Sequence, residues 1–381
     1  MLTHTLISPD WTFALWAVML GLTVFAFWSE TTNLGRTVSG VALAMIAAMI
    51  LSNVNLIPKS APAYSLVWSY LVPLAIPLLL FKADLRRIIP ETKGMFAAFL
   101  LGTVGTVIGT VLGVLILPLG EDGAKLAGIF SATYTGGSMN MAAVGEALQV
   151  DSALMAVSVA ADSVVGKTYL VFMALIPALG ILRRWLPSAI MDQADREGEE
   201  VVSHATETVS LNLLHISFSL LLSLSICAVG YASANFLGVS NYGILFITAL
   251  TVAVANLFPK QMMKLEGDYE IGMFFMYLFF VVVGAGADVI KMFDSALIIV
   301  LFAAIIILCH LIVLFLGSRL LKLDLAEAII ASIACASGPS VAAALAAGKR
   351  WRALITPAVM LGVLGYVVAN FLGVTLATLL S

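Results

Sequence analysis

Tyr134-Thr135-Gly136-Gly137-Ser138-Met139-Asn140 interrupts one apolar stretch of this chain, and Ala336-Ser337-Gly338-Pro339-Ser340 interrupts another about 201 residues further on. Each places helix-breaking and hydroxyl-bearing residues in the middle of what otherwise reads as a membrane span. Non-helical backbone leaves N–H and C=O groups without partners, and lipid cannot supply them. Such a break persists where it lines a cavity or holds a guest. A matched pair in two halves is the sequence pointer to a secondary transporter's binding site.

The rest of the chain fits that setting. Of its 381 residues, 61% are hydrophobic and 11% charged, whereas a soluble domain carries about 25% charged residues. Apolar segments run over 11–29, 36–56, 64–82, 94–118, 124–149, 152–183, 209–232, 242–258, 269–288, 293–318, 325–349 and 353–380. The reading is an all-α polytopic membrane protein with about twelve transmembrane helices. The first run, Trp11 to Trp28, lacks basic residues before it and a small-residue cleavage site after it, so it reads as an uncleaved helix. The net charge of −3 and the absence of a basic arm give no support to nucleic-acid binding. Cys227, Cys309 and Cys335 are scattered in apolar segments and read as small packing residues rather than metal ligands or disulfides.

One long polar stretch, 184–208, carries Asp192, Asp195, Arg196, Glu197, Glu199 and Glu200. It divides an N-terminal unit, 1–183, from a C-terminal unit, 209–381, of similar size. Asn55-Leu56-Ile57-Pro58-Lys59 echoes Asn256-Leu257-Phe258-Pro259-Lys260, and Ala83-Asp84-Leu85 echoes Ala287-Asp288-Val289. Three landmarks in one order at nearly one offset point to internal duplication. Six spans per unit would give the repeats the same orientation, and the basic pairs Arg86-Arg87 and Arg183-Arg184 do not decide the matter. The segment 152–183 is long enough to hide an extra short piece.

At the first break, a half-helix ending near Tyr134 would face a second starting near Asn140. A helix N-terminus carries about half a positive charge and a C-terminus about half a negative one, so anion and cation sites lie side by side. Thr135, Ser138 and Asn140 add side-chain oxygens, and Gly136 and Gly137 let a ligand approach backbone. The bland alternative is a glycine packing contact. At the second break, Pro339 frees carbonyls that, with Ser337 and Ser340 flanking Gly338, would ligate a cation or a solute; an ordinary proline kink is the alternative.

Asp162 is the most telling ionisable residue. An ionised Asp at a span centre costs roughly 2.5–3.5 kcal/mol on insertion scales, which argues for a cation ligand, such as Na⁺, or a proton carrier. A structural polar contact is the competing account. Lys167 lies five residues on, about 140° around the helix, so an intrahelical ion pair is a poor explanation. It would pair with another helix or stand as a fixed cation, unless it snorkels to an interface. Asp84 and Asp288 read as capping or solvated groups, Asn370 shares a face with Tyr366, and His310 reads as a satisfied core histidine.

These motifs, with Ala161-Asp162, Trp351-Arg352-Ala353-Leu354-Ile355-Thr356-Pro357 and Gly362-Val363-Leu364-Gly365-Tyr366, resemble the YjcL-like bacterial membrane family, domain of unknown function 819, over nearly the whole chain. That family is grouped with the cation/proton antiporter and anion transporter clan. The resemblance implies two inverted repeats, each with a broken, crossing helix, and a core domain moving against a panel domain. It puts Gly136, Gly137, Ser138 and Asn140 in the first crossing helix and Gly338 and Pro339 in the second, with Asp162 where antiporter relatives hold a cation. Relatives tend to carry asparagines and Gly-Gly-Pro at the second break; Cys335 and Ser337-Gly338-Pro339 stand here, which favours proton coupling.

The resulting expectation is a secondary transporter of a small organic anion or zwitterion, coupled to H⁺ or Na⁺, in the bacterial cytoplasmic membrane. A homodimer is left open, and no other cofactor is expected. The alternative is a sodium/proton antiporter without organic substrate. No His-Glu-x-x-His, Gly-x-Ser-x-Gly or phosphate-binding loop supports an enzyme or an ATP-driven pump.

Overall fold

The computed structural model describes residues 5–32, 40–196, 212–287 and 289–381. Of the acidic linker, 197–208 lies outside the described residues, as does Asp288. Among the described residues the chain is all helical, and eight helices are long and apolar enough to cross a membrane.

The elements before the polar stretch are α1 (Thr12–Glu30), α2 (Gly40–Asn53), α3 (Pro62–Leu80), α4 (Leu85–Ile116), α5 (Gly123–Gly136), α6 (Ser138–Ala147) and α7 (Ser152–Leu175). A 3₁₀ turn (Ile176–Ala178) and the short helix Gly180–Trp185 follow, the extra piece that 152–183 concealed, and then the short helix Ala189–Arg196 in the polar stretch. After the polar stretch come α8 (Leu213–Phe236), α9 (Gly243–Leu257), α10 (Asp268–Gly286), α11 (Val289–Leu320), α12 (Leu325–Ser337), α13 (Pro339–Gly348) and α14 (Ile355–Leu379). Against the twelve apolar segments, four are not single long helices: α2 and α9 are short, and 124–149 and 325–349 each divide in two.

Lengths recur in order across the two sets. α4, kinked at Lys93 (φ 34°), runs over 32 residues as α11 does, and α6 and α13 both have 10. Side-chain ties recur as well. Asn53 Nδ2 donates to the Ala287 carbonyl at 2.9 Å, and Asn256 Nδ2 donates to the Ala83 carbonyl at 2.9 Å. Asn256 Oδ1 also accepts from Leu85 N–H at 2.9 Å. Asn53 partners the carbonyl at the C-terminal end of α10, and Asn256 partners the join of α3 and α4, including the Leu85 N–H that opens α4 without an intrahelical acceptor. Asn53 makes the tie that resembles that of Asn256, whereas Asn55 sits in a left-handed turn at φ 60°. Asp84 caps α4, accepting from Arg86 N–H at 3.2 Å.

α4 and α11 pack along much of their length. Gly102, Gly105, Gly109 and Gly113 form the contact stripe on α4. A Cβ at Gly105 would lie 2.6 Å from His310 Cα, and one at Gly109 would lie 2.7 Å from Ile306 Cα. In lipid, where apolar burial does not drive helices together, this close backbone approach supplies the dispersion energy. Helices α1–α3 and α8–α10 pack chiefly with one another, and α4–α7 pack chiefly with α11–α14.

Candidate functional site

Both breaks are one residue wide. α5 ends at Gly136 and α6 begins at Ser138, so the chain is non-helical at Gly137 alone, at φ 91° and ψ 172°. The expected gap from Tyr134 to Asn140 is narrower because Asn140 N–H already bonds to the Gly137 carbonyl at 3.0 Å, restarting the helix. α12 ends at Ser337, and Gly338 takes φ 85° and ψ 178°. This region of backbone space is accessible essentially to glycine only. Pro339 does not kink a continuous helix. It opens α13 at the first position, where its missing N–H costs nothing.

The two breaks touch. A Cβ on Gly137 would lie 3.2 Å from Gly338 N and 3.3 Å from the Ser337 carbonyl carbon. α14 lies across both: a Cβ on Gly362 would meet Pro339 Cα at 2.4 Å, and one on Gly365 would meet the Thr135 carbonyl oxygen at 2.7 Å. The Tyr134 carbonyl, whose helical partner would have been Ser138 N–H, instead accepts from Thr106 Oγ1 at 3.1 Å and Cys335 Sγ at 3.3 Å. Each freed carbonyl matters, since an unpaired one in a dry interior costs free energy.

Thr106 anchors a buried polar chain. Its Oγ1 lies 3.0 Å from His310 Nδ1; His310 Nε2 lies 2.8 Å from Ser332 Oγ, and Ser332 Oγ lies 2.6 Å from the Tyr169 hydroxyl. Thr106 uses its one hydroxyl hydrogen on the Tyr134 carbonyl, so it accepts from His310 Nδ1–H. Nε2 then accepts from Ser332, and Ser332 accepts from Tyr169. His310 is thus a buried histidine with both ring nitrogens partnered.

A cavity of about 230 Å³ opens at the crossing. Of the sequence candidates, Gly137, Ser138, Asp162, Lys167, Ser337, Pro339 and Ser340 line it. Ser138 Oγ donates to Asp162 Oδ2 at 3.0 Å. Tyr134, Thr135, Gly136, Asn140 and Gly338 stand behind the lining and are buried. Asn140 Nδ2 donates to the Tyr366 carbonyl at 2.8 Å and to Asn370 Oδ1 at 2.7 Å, and Asn370 Nδ2 donates to Thr248 Oγ1 at 3.1 Å. The Tyr134 hydroxyl, Thr135 Oγ1 and Asn140 Oδ1 are buried without a hydrogen-bond partner. The Tyr134 hydroxyl is near enough to Asp162 to interact electrostatically, outside hydrogen-bond geometry.

Lys167 shares the cavity with Asp162, against the expectation of separate faces. The lining residues of α7 are Val159, Asp162, Ser163, Gly166, Lys167 and Leu170. That spacing of three and four is one helix stripe, and the two charged residues are its flanks. The opposite wall is α10, through Tyr269, Met273, Tyr277 and Phe280, with Tyr366 from α14. Tyr269 is 3.0 Å from Ser340 Oγ, and the Tyr277 hydroxyl donates to Glu30 Oε1 at 2.5 Å. Sequence reasoning missed Tyr269 and Tyr277, because α10 reads as a plain apolar span in which these two tyrosines were the only signal.

Comparison with known proteins agrees with the membrane reading. Residues 17–381 match the family described as a protein of unknown function, DUF819. An uncharacterized membrane protein of Bacillus subtilis strain 168, YjcL, is 33% identical over 393 residues, covering 97% of this chain and 97% of the relative.

Proposed function

We propose, on the premise that this chain belongs to the DUF819 family, that it is an ion-coupled secondary transporter of a small organic anion or zwitterion. One observation carries the reading: a cavity that is largely apolar but holds Asp162 and Lys167 lies where the two helix groups meet, and both breaks line it. The first turn of α13 opens into it, so a positive helix end faces a solute's carboxylate. Asp162, hydrogen-bonded by Ser138, takes the coupling H⁺ or Na⁺.

Duplication fits this reading. Gly137 and Gly338 share one unusual backbone geometry. Gln149 and Arg350, which follow α6 and α13, both adopt positive φ, 50° and 62°. The units are then 1–183 and 209–381, joined by 184–208. Helices α4–α7 with α11–α14 form the core, and α1–α3 with α8–α10 form the panel. Motion of one against the other would expose the cavity to each side in turn. The setting is the bacterial cytoplasmic membrane.

Uptake into proteoliposomes under imposed pH or sodium gradients tests the reading. Uptake should follow one gradient, and Asp162→Asn should lose the ion dependence. Uptake indifferent to both gradients, or a fully coupled Asp162→Asn, overturns it. The second reading, a sodium/proton antiporter, draws on the presence of Asp162 and Lys167 in one cavity. It requires cation-driven pH changes in vesicles that contain no organic solute.

A further inference from the structure

Asp162 and Lys167 are the only charged residues among the described residues lining the cavity. No ion pair shorter than 4.0 Å joins them or gives Lys167 another partner among the described residues. Five residues apart on α7, they are offset by about 7.5 Å along the helix axis. Ser163 and Gly166 lie between them on the stripe. Gly166 leaves a trough: a Cβ there would meet only the Asp162 carboxyl, with Oδ1 at 3.4 Å.

The surroundings sort the two charges into opposite ends. The first turn of α13, with Lys167, favours an anionic group, while the first residue of α6, Ser138, already donates to Asp162. Asp162 has one hydroxyl donor, Ser138, and keeps acceptor capacity for a cation. A dianion would press against Asp162, and a simple cation would face Lys167 and the positive end of α13. A molecule carrying one charge of each sign meets neither conflict. The third wall is apolar and aromatic, from Met273, Phe280 and the α10 tyrosines. A volume of about 230 Å³ sits below the usual range for drug-sized ligands and suits a solute of amino-acid size.

Resting on the transporter reading above, we propose that the cavity takes a small amino-acid zwitterion with an apolar side chain. Its carboxylate lies against Lys167 and the α13 N-terminus, its ammonium on Asp162 beside Ser138 and its side chain against α10. One carboxylate holds one cation at a time, so the ammonium and the coupling ion alternate on Asp162.

Thermal stabilisation of the purified full chain tests this, because a ligand that binds only the folded state raises stability. The probes are leucine, N-acetyl-leucine without the ammonium, leucinamide without the carboxylate, and succinate. Leucine should stabilise at the lowest concentration, and each blocked form should bind about 10- to 100-fold more weakly, one charge-assisted contact being lost. Asp162→Asn should raise N-acetyl-leucine to the level of leucine or above it. Gly166→Leu should abolish the response to leucine while leaving the unliganded melting temperature near that of wild type, since its first carbon makes only ordinary van der Waals contact, with the Asp162 carboxyl. N-acetyl-leucine, leucinamide or succinate matching leucine on the wild-type chain overturns the zwitterion, as does no response to any probe. An unaltered leucine response in Gly166→Leu overturns the site. The transporter reading stands or falls separately, on gradient-driven flux in proteoliposomes.

Discussion

Replacing Gly137 by alanine puts the geometry of the first break to a quantitative test. Gly137 holds φ 91° and ψ 172°, a conformation costing a non-glycine residue about 1–3 kcal/mol. The new Cβ would also lie 3.2 Å from Gly338 N and 3.4 Å from Gly338 Cα. Those atoms are backbone of the opposing break and yield little, so the total should reach about 2–4 kcal/mol, with overpacking adding to the strain. Gly338→Ala carries the same dihedral cost, but its Cβ would first meet the Tyr366 hydroxyl at 3.3 Å, the end of a side chain. It should cost about 1–3 kcal/mol, the smaller loss. Gly21→Ala is the control: nothing lies within 4 Å of its Cβ, and alanine within a helix gains about 0.5–1 kcal/mol over glycine. Unfolding free energies in mixed micelles titrated with denaturing detergent would rank the three. Gly137→Ala within about 0.5 kcal/mol of wild type, the ordinary spread of harmless substitutions, would refute the break and its contact with Gly338.

Other consequences follow from the buried polar ties. His310→Leu should cost about 1–3 kcal/mol by stripping Thr106 and Ser332 of a partner, and ¹⁵N NMR of labelled histidine should find the proton on Nδ1; a proton on Nε2 would contradict the direction of the chain. Asn53→Ala and Asn256→Ala should each destabilise by about 1–3 kcal/mol, having freed a carbonyl; if only one does so in the same unfolding assay, the two ties are not equivalent. Gly105→Ala should force α4 away from α11, whose His310 Cα lies 2.6 Å from the added carbon, at about 1–3 kcal/mol; an unchanged melting temperature would mean that the helices are not so close.

Much of this molecule is written locally. Apolar length marks α1, α4 and α8 as spans because a bilayer demands it residue by residue. Gly137 and Gly338 announce breaks because only glycine tolerates their backbone angles, whatever surrounds them. Asp162 stands out because an acid in a span needs a reason. The tertiary structure decided what a local code cannot carry. It set Gly137 against Gly338, and it put Thr106, His310, Ser332 and Tyr169 from four helices on one chain. It also chose Asn53 over Asn55 as the partner of a helix end. Lys167 came to share a cavity with Asp162 because a cavity collects a whole stripe of α7, wider than the single face a helical wheel assigns. Tyr269 and Tyr277 entered the site because α10 packs opposite that stripe. Helix periodicity fixes which residues of one helix travel together; which helices face each other is set by packing across the chain, where no short stretch of sequence holds the information.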